Sequence, residues 1–139
     1  MFDARQITDD AWRGGLRPEP QMLVSEWADT YRRLPSTSAE PGRWRTDRTP
    51  YLREIMDTLS VSSPIERVAI IKGAQTGGTE AGLNFLGYII CNSPGLAMLV
   101  MPSVDMVRRN TRTRIDPYFE IVPEIAQRVV PAKSREPGN

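Results

Sequence analysis

Residues 67–80, with the sequence RVAIIKGAQTGGTE, decide which fold this chain predicts. The run 67–71 is short, apolar and rich in β-branched residues, which is typical of a strand buried in a parallel sheet. A glycine-rich loop, residues 73–78, follows directly, and the apolar spacing from Thr79 to Ile90 is that of a helix. The order strand, glycine-rich loop and helix predicts a turn whose backbone amides surround a phosphate group.

The glycine-rich loop has the composition of a phosphate-binding loop but departs from the usual spacing, G-x-x-x-x-G-K-[ST]. When the pattern is aligned on Thr79, Gly77 takes the place of the second glycine. Lys72 then falls where the first glycine belongs, and Gly78 falls where the lysine belongs. A cation is still needed beside the phosphates, and Lys72 is placed to reach back over the loop. A tight turn without a ligand is the alternative, because a glycine-rich loop alone is a weak signal.

A second apolar run, residues 96–101, follows the predicted helix after the turn NSPG at 92–95. This run is also predicted to be a buried strand, and Ser103 is placed to cap a further helix that runs toward Ile115. A strand–helix–strand unit implies parallel strands joined by a right-handed crossover. The sequence therefore predicts an α/β fold with parallel strands near 67–72 and 96–101.

The rest of the chain predicts mainly helices. Residues 1–18 are polar and are expected to form a flexible arm, and residues 19–139 are expected to form the front part of one α/β domain. Apolar spacing predicts helices at 20–34, from Pro50 to Leu59 and from Pro123 to Val130. Two strands do not complete a sheet, so we expect the chain to be a fragment of a longer domain.

Composition excludes several classes of protein. The chain has 18 Lys and Arg residues against 17 Asp and Glu residues, and the net charge of +1 excludes a strongly basic DNA-coating protein. The chain has no His and one Cys, which excludes a His-based catalytic triad and argues against a zinc site. No apolar run is long enough for a membrane span, and the N-terminus has no signal-peptide pattern.

Five short stretches occur in order along the chain: PYLREIMD (50–57), KGAQTGGTE (72–80), NFLGYII (84–90), SPG (93–95) and MPS (101–103). Together these stretches resemble the lambda-type phage terminase large subunit family, often called GpA, over about residues 20–139. Members of that family carry a phosphate loop whose lysine is displaced to the N-terminal side, as Lys72 is here. Phe85 departs from the pattern, which has a small residue there.

The resemblance implies a helicase-like P-loop NTPase core that binds ATP and Mg²⁺. Lys72 would be the catalytic lysine and Thr79 a magnesium ligand, while the segment around Tyr51 and Arg53 would meet the adenine. The residues expected to bind nucleotide are Tyr51, Arg53, Lys72, Gly73, Ala74, Gln75, Thr76, Gly77, Gly78, Thr79 and Glu80. Many terminases place a candidate arginine finger in the loop, and at Ala74 this chain lacks it. By its position alone, Glu80 is also suited to complement the dipole of the helix.

The resemblance also implies a role as part of the ATP-driven motor that packages viral DNA into proheads in the host cytoplasm. The implied partners are double-stranded DNA, the terminase small subunit, the portal of the prohead and further copies of the full-length protein. Arg108, Arg109 and Arg112 are candidate DNA contacts, and a solvated helix face paired with Asp105 and Asp116 is the alternative.

The family's Walker B carboxylates and nuclease domain have no counterpart in these residues. The chain alone is therefore expected to hydrolyse ATP slowly, if it does so at all. Two other hypotheses stay open: a helicase-like DNA-dependent ATPase of another family, and an inactive remnant of a prophage terminase.

Overall fold

The computed structural model describes residues 4–16 and 21–129, which are mainly helical. In chain order the helices are α1 (Ala4–Gly15), α2 (Val24–Tyr31), α3 (Tyr51–Thr58), α4 (Gly78–Asn92), α5 (Val104–Asn110), α6 (Asp116–Ile121) and α7 (Pro123–Ala126). A 3₁₀ turn spans Thr46–Arg48, and a π-helical turn, Thr111–Ile115, joins α5 to α6. Two short strands, β1 (Arg33–Leu34) and β2 (Gly42–Arg43), lie between α2 and α3.

Helix α4 is the centre of the fold, and α2, α3 and α7 pack against it. Its buried positions recur every three or four residues, so that one face of the helix enters the core: Ala81, Leu83, Asn84, Gly87, Tyr88 and Cys91. Gly87 allows the closest approach, because a Cβ there would overlap the Tyr118 hydroxyl and the ring of Trp27. The side chains of Trp27 and Tyr118 therefore lie directly on the backbone of α4.

The core joins side chains that are far apart in the sequence. Trp27 from α2, Met56 from α3 and Ile125 from α7 are each fully buried. Burying one large apolar side chain of this kind contributes roughly 1.5–3 kcal/mol to folding, before conformational entropy is subtracted. This core holds α4 in place, and with it the loop that immediately precedes the helix.

The two short strands form the sheet that is present in the described part of the chain. They are antiparallel, with Arg33 opposite Arg43 and Leu34 opposite Gly42. Gly42 has a φ of 103°, a left-handed conformation that glycine adopts without strain. The hairpin closes over the end of α2, where the Trp44 amide donates to the Arg32 carbonyl at 3.1 Å.

The predicted parallel strands are not confirmed. Within residues 21–129, the segments 67–72 and 96–101 are extended but form no ladder with each other or with another strand. The expectation that they are buried is wrong, because Leu96, Val100 and Ile71 are largely or fully exposed. A strand of this composition is buried by neighbours on its edges and faces, and the described residues supply none. The architecture is compatible with an α/β domain, but the described residues contain no parallel core.

The helical predictions agree better with the structure. Helices α2, α3 and α5 lie inside predicted helices, whereas α4 contains the helix predicted from Thr79 to Ile90 and extends past both of its ends. Ser103 caps α5 by accepting a hydrogen bond from the Met106 amide at 3.3 Å. Helix α1 lies in the segment for which the sequence predicts a flexible arm, and its described side chains are exposed. The predicted last helix extends to Val130, which lies outside the described residues. None of the helices in the described ranges has the length and apolar character needed to span a membrane.

Candidate functional site

The glycine-rich loop reverses the chain through two residues in left-handed conformations. Gln75 has a φ of 55° and Gly77 a φ of 77°. The hydroxyl of Thr76 donates to the carbonyl of Gly73 at 3.2 Å and closes the turn. A non-glycine residue with positive φ is uncommon and is held there by its surroundings, often at a functional site. Gly77 is required by its φ and also by space, because a Cβ would lie 2.9 Å from Leu52 Cδ1.

Free backbone amides lie at the start of α4, directly after the turn. The amide of Ala81 donates to the Gly77 carbonyl at 3.0 Å, which is the first hydrogen bond of the helix. The amides of Gly78, Thr79 and Glu80 in the first turn therefore have no intrahelical partner. These donors, together with the partial positive charge of the helix N-terminus, suit an anionic group such as a phosphate.

The side chain of Lys72 folds back across the glycine-rich loop. A Cβ on Gly78 would lie 2.6 Å from Lys72 Cδ and 2.7 Å from Lys72 Cε. The Lys72 ammonium donates to the carbonyl of Gly73 at 3.4 Å. Lys72 thus lies against the residue that occupies the lysine position of the usual phosphate-loop pattern, as the predicted reach over the loop requires.

An apolar cleft of about 460 Å³ adjoins the loop. We call it the base cleft, and its walls come from α3, from the extended segment before the loop, and from the loop and start of α4: Tyr51, Leu52, Ile55, Ile70, Ile71, Lys72, Gly73, Thr76, Gly78 and Ala81. Its volume is in the range of small-molecule sites. Tyr51 is 57% exposed, so its ring is available to stack on a flat ligand.

The structure does not bring Arg53 into the base cleft, although the resemblance places it near the adenine. The Arg53 guanidinium donates to the carboxylate of Asp47 at 2.7 Å, and both side chains are exposed. Trp44, which is also near Asp47 in the sequence, is buried, and its indole donates to Thr46 Oγ1 at 3.0 Å. Of Tyr51, Arg53 and Trp44, the residue that lines the cleft is Tyr51.

Glu80 makes contacts that its position in the sequence does not predict. Its carboxylate accepts from Arg32 at 2.6 Å and from Arg114 at 3.4 Å. Arg32 is 2% exposed, and its guanidinium lies 3.8 Å from the centre of the Tyr118 ring. Glu80 thus ties the first turn of α4 to the end of α2 and to the π-helical turn. No local pattern signals this, because Arg32 and Glu80 are 48 residues apart.

Burial also affects the chemistry of Tyr118. Loss of solvent raises the pKa of its phenol far above the usual range, and the nearby charge of Arg32 opposes that increase. The hydroxyl is buried and has no hydrogen-bond partner among residues 4–16 and 21–129. Tyr118 is therefore a neutral core residue that packs on Gly87 and under Arg32.

The arginine cluster, defined as Arg108, Arg109 and Arg112, is exposed on α5 and the π-helical turn. Arg108 lies 3.9 Å from Asp105 in a solvent-exposed pair. Arg109 and Arg112 form no ion pair within the described residues. Of the pairing that the alternative of a solvated helix face includes, the described residues show the pair of Arg108 with Asp105.

The site offers one candidate magnesium ligand from the loop. Thr79 is exposed in the first turn of α4, beside the free amides. Over residues 4–16 and 21–129, no cluster of three or more His, Cys, Asp or Glu side chains is arranged to hold a metal ion. A cation at this site would therefore take its other ligands from a bound polyphosphate and from water.

A glycine-rich turn that leads into free helix amides, with an apolar cleft beside it, is the geometry of a nucleotide-binding site. Residues 38–139 match the family model for the phage terminase large subunit gpA, ATPase domain. The match covers more than half of the chain, so the chain belongs to this family, as the sequence motifs predicted. No curated protein and no solved structure gave a match. Membership supports, in general terms, ATP use and a role in the motor that packages phage DNA.

Proposed function

We propose that this chain is the ATP-binding part of a terminase large subunit, the motor that drives viral DNA into proheads. The observation that carries the proposal is the position of Lys72, whose side chain crosses the loop that a triphosphate would occupy. The β- and γ-phosphates lie over the glycine-rich loop, and the base lies in the base cleft. The free amides of the first turn of α4 and the Lys72 ammonium hold the phosphate oxygens.

Thr79 is the proposed protein ligand of magnesium. Its hydroxyl stands beside the phosphate position, and hydroxyl oxygen is a ligand that Mg²⁺ accepts. When bound with ATP, the cation neutralises charge on the phosphates. Glu80 is engaged by two arginines, so its carboxylate is proposed to position the first turn of α4 rather than to bind the metal.

The base cleft is proposed to hold the adenine, with Tyr51 stacked on it. Ile70 and Ile71 also line the cleft, and an apolar lining of this kind favours a flat aromatic ligand. Arg53 is not part of this proposal, because its side chain pairs with Asp47 outside the cleft.

The arginine cluster is proposed to contact the phosphates of double-stranded DNA. Arg109 and Arg112 are exposed, and guanidinium groups of this kind bind phosphate oxygens with good geometry. The family also supports assembly with the terminase small subunit and the prohead portal, as an oligomer, in the host cytoplasm. Binding of a small subunit to the immobilised chain tests the proposed contact with that subunit. If the small subunit is not retained, these residues do not make the contact.

The test of the nucleotide site is the affinity of the chain for a fluorescent ATP analogue with magnesium. Lys72→Ala is expected to raise the Kd about 10–100-fold, since a charge-assisted hydrogen bond contributes about 1.5–3 kcal/mol. Arg53→Ala is the matched control: it also removes one cation, but outside the cleft, and the Kd is expected to stay within about twofold. Equal affinity of the parent and Lys72→Ala would refute the proposed site, and a large loss in Arg53→Ala would show that the adenine lies elsewhere.

A further inference from the structure

Gly78 occupies a position where glycine is not required by the backbone. It is the first residue of α4, and its φ lies outside the left-handed region, unlike that of Gly77. Glycine within a helix destabilises it by about 0.5–1 kcal/mol relative to alanine. Some other feature of the structure must therefore account for a glycine at this position.

The missing side chain of Gly78 leaves the space that Lys72 occupies. A Cβ on Gly78 would lie 2.6 Å from Lys72 Cδ, 2.7 Å from Cε and 3.7 Å from the ammonium nitrogen. Carbon atoms in ordinary contact lie about 3.5–4.0 Å apart, so the methylene groups of Lys72 would have to move by about an ångström. The three atoms nearest to this Cβ position all belong to the side chain of Lys72.

The three other glycines near this point do not share that feature. A Cβ on Gly73 would meet Thr76 at an ordinary distance of 3.7 Å, and a Cβ on Gly82 would meet nothing within 4 Å. Gly77 is restricted by its own φ and by Leu52. The close approach to Lys72 is thus specific to Gly78.

We propose that Gly78 is a positioning residue for Lys72: the absence of a Cβ at residue 78 lets the displaced lysine cross the loop and place its ammonium at the phosphates. The inference rests on the proposed nucleotide site. Lys72 and Gly78 act as a pair in which one residue supplies the cation and the other supplies the room for it. The loop of this chain is then equivalent to the usual one, with the lysine arriving from the extended segment before the loop instead of from the helix.

The pair suggests an exchange that tests this equivalence directly. Substituting Lys72→Gly together with Gly78→Lys gives residues 72–79 the sequence GGAQTGKT, which fits the usual pattern G-x-x-x-x-G-K-T at every fixed position. The cation then starts from the helix end of the loop, and no side chain needs to cross residue 78.

The experiment measures the Kd for a fluorescent ATP analogue and the thermal midpoint of each variant. Gly78→Ala is expected to raise the Kd about 10-fold or more, because the displaced lysine moves its ammonium away from the phosphates. The midpoint is expected to stay equal or rise, since the end of a lysine side chain moves at little cost and alanine favours the helix. Gly82→Ala is the matched control on the same helix and leaves the Kd unchanged.

Two double variants separate this inference from the proposed function. Adding Gly78→Ala to Lys72→Ala is expected to leave the Kd where Lys72→Ala put it, since no lysine remains to be displaced. The exchange variant is expected to bind within about threefold of the parent, which is under 1 kcal/mol. If Lys72→Ala weakens binding and Gly78→Ala does not, the role of Gly78 is refuted while the nucleotide site stands. If Lys72→Ala has no effect, the site itself is refuted, and this inference with it.

Discussion

Substitution of Gly87 by alanine tests the packing that holds α4 in the core. A Cβ at this position would overlap the Tyr118 hydroxyl and the Trp27 ring, and would lie 2.8 Å from Trp27 Cζ3. Trp27 is fully buried and Tyr118 is 1% exposed, so both rings are part of the core. The two rings belong to α2 and α6, and a single change of rotamer does not relieve both contacts.

The magnitude follows from two opposing effects. Overpacking a core costs about 1–3 kcal/mol, and contact with two buried rings places Gly87→Ala near the upper end. Alanine favours the helix by about 1 kcal/mol relative to glycine. The free energy of unfolding is therefore expected to fall by about 2 kcal/mol in Gly87→Ala. Gly82→Ala is the matched control: its Cβ enters open space on the exposed side of α4, and it is expected to gain about 0.5–1 kcal/mol.

Urea unfolding followed by circular dichroism and by tryptophan fluorescence measures both variants. With a urea dependence of about 1–3 kcal/mol per molar, the midpoint of Gly87→Ala is expected to fall by roughly 1 M and that of Gly82→Ala to rise slightly. The opposite signs are the essential result, because both variants make the same chemical change on one helix. If the two variants are equally stable, α2 and α6 do not pack on α4 at Gly87.

Two further predictions concern the core and the DNA-binding surface. Because burial raises the pKa of the Tyr118 phenol, this residue stays neutral in the folded chain while the unfolded chain ionises it above about pH 10. Its contribution to stability is therefore complete below about pH 10 and is lost progressively as the pH rises above that value. Between about pH 9 and pH 11, the thermal midpoint of the parent is expected to fall more than that of Tyr118→Phe, which has no phenol to ionise. Equal falls in the two proteins would contradict the burial of Tyr118. Replacing Arg109 and Arg112 together by alanine is expected to weaken binding to unrelated DNA duplexes equally and to reduce the slope of log K against log salt by about 2. An unchanged slope would show that these arginines do not contact DNA phosphates.

Helices and their caps are where the sequence alone was informative. The spacing of apolar residues in α4, and Ser103 before α5, predict those elements because both signals act within a few residues of chain. The sequence also predicts that Lys72 returns over the loop, since a phosphate site needs a cation and this lysine is adjacent to the turn; its role at the phosphates stays a prediction. The family was predicted from the order of short motifs, and the family match confirmed it.

Tertiary structure decided the features that depend on distant residues. The approach of Arg32 to Glu80 and the two rings over Gly87 come from helix packing, and no local pattern encodes either. The apolar runs 67–72 and 96–101 show that local composition alone does not produce a strand. Their composition favours strands in any context, but a strand forms only when a neighbouring strand accepts its hydrogen bonds, and the described residues place none beside them. Local propensity thus determines which conformation a segment prefers, whereas burial and pairing are properties of the partners it meets.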